Sequence, residues 1–246
     1  MQNKTIAVVT GGTTGIGKAA VDAFEKRGIT TYVLGIGEQP TNTALRKFVS
    51  CDVSKNSDVV AAFQQIKKDV GHVNYLVNNA GVLSYGTVTD IDEAEWDRVM
   101  GVNLKGSFLC AKNAIPMMPE GSVIINVASV QSYITQPLVA AYCTSKAAVL
   151  GLTRSIATDF GPKIRCVAVC PGTIDTPMLH GALAQAADPD AMMAELNAAH
   201  LTGRVGKPEE IGELISFLCS DKCAFITGQA IRVDGGLGVN MGGSKN

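Results

Sequence analysis

The amino-acid sequence predicts an α/β fold, a doubly wound parallel sheet with helices on both faces. Short apolar, β-branched runs alternate along the chain with segments of helical periodicity, which implies parallel strands joined by helical crossovers. The first such run passes directly into a glycine-rich turn and then a helical pattern, the βαβ start in which phosphate sits on a helix N-terminus. No repeat, linker or break in composition interrupts the 246 residues, so 1–246 reads as a single domain with room for a substantial core.

Composition narrows the function. With 46% hydrophobic and 17% charged residues the balance is that of an ordinary globular protein. A net charge of -1 argues against a nucleic-acid surface, which carries a basic excess. The seven cysteines contain no C-x-x-C pair, and the spacing shared by Cys166/Cys170 and Cys219/Cys223 suits zinc poorly. Buried thiols are expected, and no metal site. The start, Met1 to Lys4, leads into a strand without a secretory leader, and no apolar run approaches a membrane span. A cytoplasmic protein is the expectation.

Taken in order, Thr5 to Val9 is the first strand, and Thr10-Gly11-Gly12-Thr13-Thr14-Gly15-Ile16-Gly17 is the turn. A helix follows with Ala19, Ala20, Ala23 and Phe24 inward, and Gly28 caps it. Thr30 to Ile36 is the second strand. Phe48 to Cys51 runs into Asp52-Val53, Asp58 to Val70 is helical, and Val73 to Val77 is another strand, ending in Asn78-Asn79-Ala80-Gly81. A strand ending in two amides and a glycine suits a crevice that needs polar groups and close backbone approach. Asp92 to Ile115 reads as one long helix with Trp96, Val99 and Leu104 inward and Asn103 inside it. Val123 to Val127 is the central strand, Ala140 to Phe160 a helix, and Ile164 to Val169 another strand. The stretch from Thr173 to Leu201, interrupted by Pro177, Gly181 and Pro189, is expected to be a partly helical lid. Pro208 opens the last helix, and Ala230 to Val233 is the closing strand.

Chemistry concentrates late in the chain. Tyr142 and Lys146 stand four apart in an alanine-rich helical segment, so they share a face. A lysine ammonium beside the phenol favours phenolate and lowers a pKa normally near ~10. Ser129, at the end of the central strand, is placed to bond the same reacting oxygen. The three together can move a proton at an alcohol or carbonyl. The tyrosine–lysine spacing alone is common in chains of this size.

The ordered set Thr10-Gly11-x-x-x-Gly15-x-Gly17, Asp52, Asn78-Asn79-Ala80-Gly81, Asn103, Ser129, Tyr142-x-x-x-Lys146, Pro171-Gly172 and Val233-Asp234-Gly235-Gly236 resembles the short-chain dehydrogenase/reductase family over nearly the whole chain. The resemblance implies a seven-stranded Rossmann-type sheet, nicotinamide-dependent hydride transfer and a homotetramer. It implies Tyr142 as general acid/base, with Lys146 as its activator and as holder of the nicotinamide ribose. Ser129 fixes the substrate oxygen, and Asn103 kinks its helix and supports a water-mediated proton relay. For the cofactor it implies the turn of Gly11, Thr14, Gly15, Ile16 and Gly17, Gly35 near the adenosine ribose, and Asp52 and Val53 at adenine. Asn79, Ala80 and Gly81 fall on the adenosine-ribose side, and Pro171, Gly172, Ile174 and Thr176 at the carboxamide.

The position at the end of the second strand departs from the family pattern. NAD-preferring members carry Asp there to bind the ribose 2′-hydroxyl. Here it is Gly35, followed by Ile36, with Glu38 farther on, and Thr14 stands where many NADP users have a basic residue. NAD is the expectation, with dual use of NADP open. For the substrate, Val130-Gln131, Ser84-Tyr85-Gly86 and Cys170 to Pro177 resemble the branch that oxidises free sugars at the anomeric carbon, with Ser84 and Gln131 as hydrogen-bonding groups. A 3-oxoacyl-thioester reductase, with Lys105 and Lys112 as mouth charges, and a steroid-type alcohol dehydrogenase are the enzymatic alternatives. A nucleotide-sensing regulator is the non-enzymatic one, and the full Ser129, Tyr142 and Lys146 set argues against it.

Overall fold

The computed structural model describes residues 4–37 and 41–239, so Glu38 and Met1 to Asn3 lie outside the described residues. Seven strands form one sheet: β1 (Ile6–Thr10), β2 (Thr30–Gly35), β3 (Arg46–Ser50), β4 (Tyr75–Asn78), β5 (Ser122–Val127), β6 (Ile164–Pro171) and β7 (Ala230–Val233). Their order is β3-β2-β1-β4-β5-β6-β7, and every pairing is parallel. The winding reverses between β1 and β4, which opens a crevice at their carboxyl ends.

The alternation along β1 builds the two layers of core. Ile6 and Val8 face a cluster with Leu34, Ile66, Leu76, Leu109 and Ile124, while Ala7 and Val9 face Phe24, Val33, Ile125, Val167 and Ile215. Helices α1 (Gly15–Lys26) and α8 (Pro208–Leu218) cover the second layer. They approach so closely that a Cβ on Gly212 would lie 2.5 Å from the backbone of Ala19. On the other face lie α2 (Asn56–Val70), α4 (Gly106–Ala114) and α5 (Ala140–Phe160). Six of the seven cysteines are buried and Cys143 is partly so.

Two expectations are corrected. The helix read over Asp92 to Ile115 is three pieces: α3 (Glu93–Met100), a π-helical turn over Gly101–Lys105, and α4. Asn103 occupies the π turn and Gly106 presses on Val53, where a Cβ would stand 2.8 Å from Val53 Cγ2. The wider turn lets the Asn103 side chain leave the helix and bond elsewhere. Val99 is fully buried as expected, but Trp96 and Leu104 are only half-buried. In the stretch from 173 to 201, Pro177 and Pro189 do not interrupt helices. They open α6 (Pro177–Leu183) and α7 (Pro189–Ala199), each as an early helical residue. Asp188 caps α7 through Oδ1, which accepts from the Ala191 amide at 2.9 Å.

Candidate active site

The turn between β1 and α1 begins the site. Gly11 and Gly15 have φ of +62° and +52°, a region that disfavours any side chain. Gly17 answers a different demand, because a Cβ there would lie 2.2 Å from the Gly11 carbonyl oxygen. The Thr14 side chain makes no cap hydrogen bond, and no acidic residue occupies the first turn of α1. The positive helix end and its amides therefore face the crevice without a competing carboxylate, which suits a pyrophosphate.

Asn79 holds this turn from behind. Its Nδ2 donates to the carbonyls of Thr10 and Gly11, both at 3.0 Å, while the Asn79 and Ala80 amides donate to Thr10 Oγ1 at 2.9 and 3.0 Å. Asn79 lines the cleft, yet its side-chain amide braces the glycine turn instead of reaching outward to a ribose. Farther along, Asp52 accepts from the Ser54 hydroxyl at 2.7 Å and amide at 3.1 Å, and lies 3.3 Å from Lys55. The Ser54 hydroxyl first, and then its amide and Lys55, hold the carboxyl below its ordinary range. Asp52, Val53 and Gly35 border one end of a cleft of about 620 Å³, and Tyr142, Gly172, Ile174 and Thr176 border the other. Its size, its uncapped helix end and its glycine turn fit a nicotinamide dinucleotide.

The reacting end is built from β5 and α5. Ser129 follows β5 in extended backbone, and its Oγ accepts from the Gln131 amide at 3.1 Å. That leaves the hydroxyl proton free to turn toward the neighbouring Tyr142. Burial pushes the Tyr142 hydroxyl above its ordinary pKa, and the Ser129 bond pulls the other way. Lys146 is 4% exposed, donates to the Val127 carbonyl at 2.8 Å, and lies 5.7 Å from the Tyr142 ring centroid. Burial lowers its pKa from 10.5 to about 8. Burial is the leading influence at both groups, and the ammonium's hydrogen bond is to the strand.

Asn103 is 1% exposed and is not among the residues lining the cleft. Its Oδ1 accepts from the Val82 amide at 2.8 Å, and its Nδ2 donates to the Val82 carbonyl and to Ser145 Oγ, both at 3.0 Å. It ties the loop after β4 to α5. Its expected place at the reacting centre becomes one of bracing the helix that carries Tyr142 and Lys146. Ser84 is corrected as well. Its neighbours Leu83 and Tyr85 line the cleft, whereas Ser84 does not: it is buried on the side of Glu95, whose carboxyl Arg98 holds down, and its own hydroxyl makes no hydrogen bond. The segment past Gly81 is irregular, so a place beyond the amide turn does not fix which way Ser84 faces.

Gln131 does face the cleft, and its Oε1 is buried without a hydrogen-bond partner. The structure adds Tyr85, Ile134, Met178, Met192, Leu196 and His200 to the cleft wall. The signal for His200 was slender, one of three scattered histidines at the end of a lid-like stretch. Lys105 and Lys112 are not lining residues; both lie beside Phe108 on another face. Among the described residues, no group of three or more His, Cys, Asp or Glu side chains is arranged to hold a metal, and no helix is long and apolar enough to cross a membrane.

Residues 11–238 match the family model described as enoyl-(acyl carrier protein) reductase. The fold is similar to that of the aldohexose dehydrogenase of Thermoplasma acidophilum, with a TM-score of 0.94 and 38% identity, covering 99% of this chain and 98% of that one. The sequence is 39% identical to 2-(S)-hydroxypropyl-CoM dehydrogenase 3 of Xanthobacter autotrophicus, over 96% of this chain and 97% of the relative. It is 33% identical to a 3beta-hydroxysteroid dehydrogenase of Mediterraneibacter gnavus, over 96% and 95%.

Proposed function

The chain belongs to the short-chain dehydrogenase/reductase family, an oxidoreductase of CH–OH groups that uses a nicotinamide dinucleotide, and from that premise we propose that it oxidises a free aldose to its lactone. The observation that carries this reading is the buried, unpartnered Oε1 of Gln131 beside Ser129. A buried acceptor left unpaired costs about 1–3 kcal/mol, and a ring hydroxyl next to the reacting carbon would relieve that cost. The bound nicotinamide supplies the hydride acceptor. Ser129 and Tyr142 hold the anomeric hydroxyl, Tyr142 as phenolate takes its proton, and the carbon–hydrogen bond breaks toward the acceptor as the carbonyl forms. Lys146 holds the cofactor ribose, and the segment from 173 to 201 covers the reacting end and excludes water.

The charge of the wall favours the sugar over an acyl thioester. Among the described residues, Asp52 and Lys146 are the acidic and basic side chains that line it, so a phosphate-bearing tail meets no arginine and no second lysine there. Catalytic efficiency on aldoses should therefore exceed that on an acetoacetyl thioester, and Gln131→Ala should lower the aldose value by about tenfold. A preference for the thioester, with Gln131→Ala harmless, would leave only the family-level activity standing.

For the cofactor we propose NAD. Gly35 has ordinary backbone, and a Cβ there would meet only Phe48 at 3.7 Å and Thr13 at 3.8 Å, so a side chain fits without strain. Gly35→Asp should lower catalytic efficiency with NADP by about tenfold or more through repulsion of the 2′-phosphate, while use of NAD holds or improves. Ratios moving toward NADP would show that residue 35 does not face the adenosine ribose. We also propose a cytoplasmic homotetramer. Phe108 and Phe225, 46% and 104% exposed, are apolar surface that such an assembly would cover.

A further inference from the structure

We propose that His200 is a positioning residue that ties the end of the lid to the strand end where the nicotinamide carboxamide docks, an inference that rests on the dinucleotide placement above. His200 follows α7 directly and is 3% exposed, with its ring among the residues of the cleft wall. Its two nitrogens are committed in opposite senses. The Thr173 amide donates to Nε2 at 3.2 Å, and the Leu196 carbonyl accepts at Nδ1 over 2.6 Å. A backbone amide only donates and a carbonyl only accepts, so the ring is neutral with its proton on Nδ1. One imidazole thereby joins the last turn of α7 to the residue that follows Pro171-Gly172.

The surroundings are shaped for that ring. A Cβ on Gly172 would lie 2.9 Å from His200 Nε2, and one on Gly235 would lie 3.2 Å from Cδ2. Any other residue at either place would push the imidazole off Thr173. From its other side, Thr173 is held by the Gly206 amide, which donates to its carbonyl at 2.9 Å, and the Asp175 amide donates back to Gly206 at 2.9 Å. The segment leading to Ile174 and Thr176 is thus held by backbone bonds, from the Gly172 amide to the Val233 carbonyl at 3.1 Å and from Gly206, and at the Thr173 amide by the His200 ring. Leu196, the ring's other partner, lines the cleft with Met192, so the same side chain sets how far α7 lies over the reacting end. Asp234 packs against Gly172, and its carboxylate is taken up by the Gly236 and Gly238 amides at 3.1 and 2.9 Å.

The test compares His200→Leu and His200→Gln with the parent, using NADH (or NADPH, whichever the parent binds more tightly) and ADP-ribose, which lacks the nicotinamide. His200→Leu should weaken binding of the reduced dinucleotide by about tenfold and leave ADP-ribose unchanged. In the ligand-free protein its Thr173 amide should exchange hydrogen faster than the parent's. Glutamine offers an acceptor at the reach of Nε2, so His200→Gln should recover most of the dinucleotide affinity and of the protection. Equal weakening of both ligands, no weakening of either, or equal behaviour of the two variants would overturn the proposal. If His200→Leu does not fold, His200→Gln decides, since it must keep the parent's ratio of the two affinities. A parent that binds the dinucleotide no more tightly than ADP-ribose would overturn the nicotinamide placement itself, and the proposal with it.

Discussion

Tyr142→Phe is expected to lower turnover by about 10²–10⁴-fold while the dinucleotide still binds and the fold keeps its stability. In the proposed mechanism the hydroxyl is the group that exchanges a proton with the substrate, beside Ser129. Removing it deletes one hydrogen bond, and Ser129 keeps the Gln131 amide, so the loss falls on chemistry and not on folding. The pH dependence follows from burial, which raises the hydroxyl's pKa. Near neutrality Tyr142 is a phenol, ready to give a proton in reduction, whereas oxidation needs the phenolate. The oxidation rate should therefore climb with pH through the alkaline range and the reduction rate should fall over the same range. Steady-state rates in both directions, with unfolding monitored in parallel, check this. A Tyr142→Phe protein that turns over like the parent would remove Tyr142 from the mechanism.

The readable parts of the chain are those in which local pattern and tertiary packing agree. Helix α5 was legible to the residue, since an alanine-rich run with no proline and apolar positions on one face has no competing conformation. The π turn at Asn103 was not, because it depends on partners far away in sequence, Val82 and Ser145, that no local period reveals. Asn79 shows the same limit in the site. Its place at a strand end was plain, but the direction of its amide is set by the carbonyls of Thr10 and Gly11, 69 and 68 residues away. Ser84 sits where alternation carries no information, in a segment that is neither helix nor strand. Gln131 lines the cleft because it lies two residues past Ser129, just beyond a strand whose position the whole sheet dictates.

Lys146→Met is expected to separate stability from function. Turnover should fall by about 10²-fold or more and the dinucleotide should bind about tenfold more weakly, since in the proposed mechanism the ammonium holds the cofactor ribose beside Tyr142. Stability should move differently. Burial lowers the lysine's pKa from 10.5 to about 8, so folding disfavours its charged form. Below pH 8 the lysine is charged in both states and the whole penalty, about 3 kcal/mol, is present. Between pH 8 and 10.5 the unfolded chain holds more protons than the folded one, so stability rises with pH, and above 10.5 the penalty is gone. Methionine fills similar space without the charge, and losing the bond to the Val127 carbonyl costs about 1 kcal/mol in return. In ligand-free protein at pH 7, Lys146→Met should thus be at least as stable as the parent. Other groups titrate at high pH in both proteins, so the decisive quantity is the difference in urea midpoint between parent and variant at pH 7 and again at pH 10. That difference should favour the variant at pH 7 and shrink or reverse at pH 10. A difference that stays constant with pH would mean that Lys146 is not the buried, discharging group that its place beneath Tyr142 makes it.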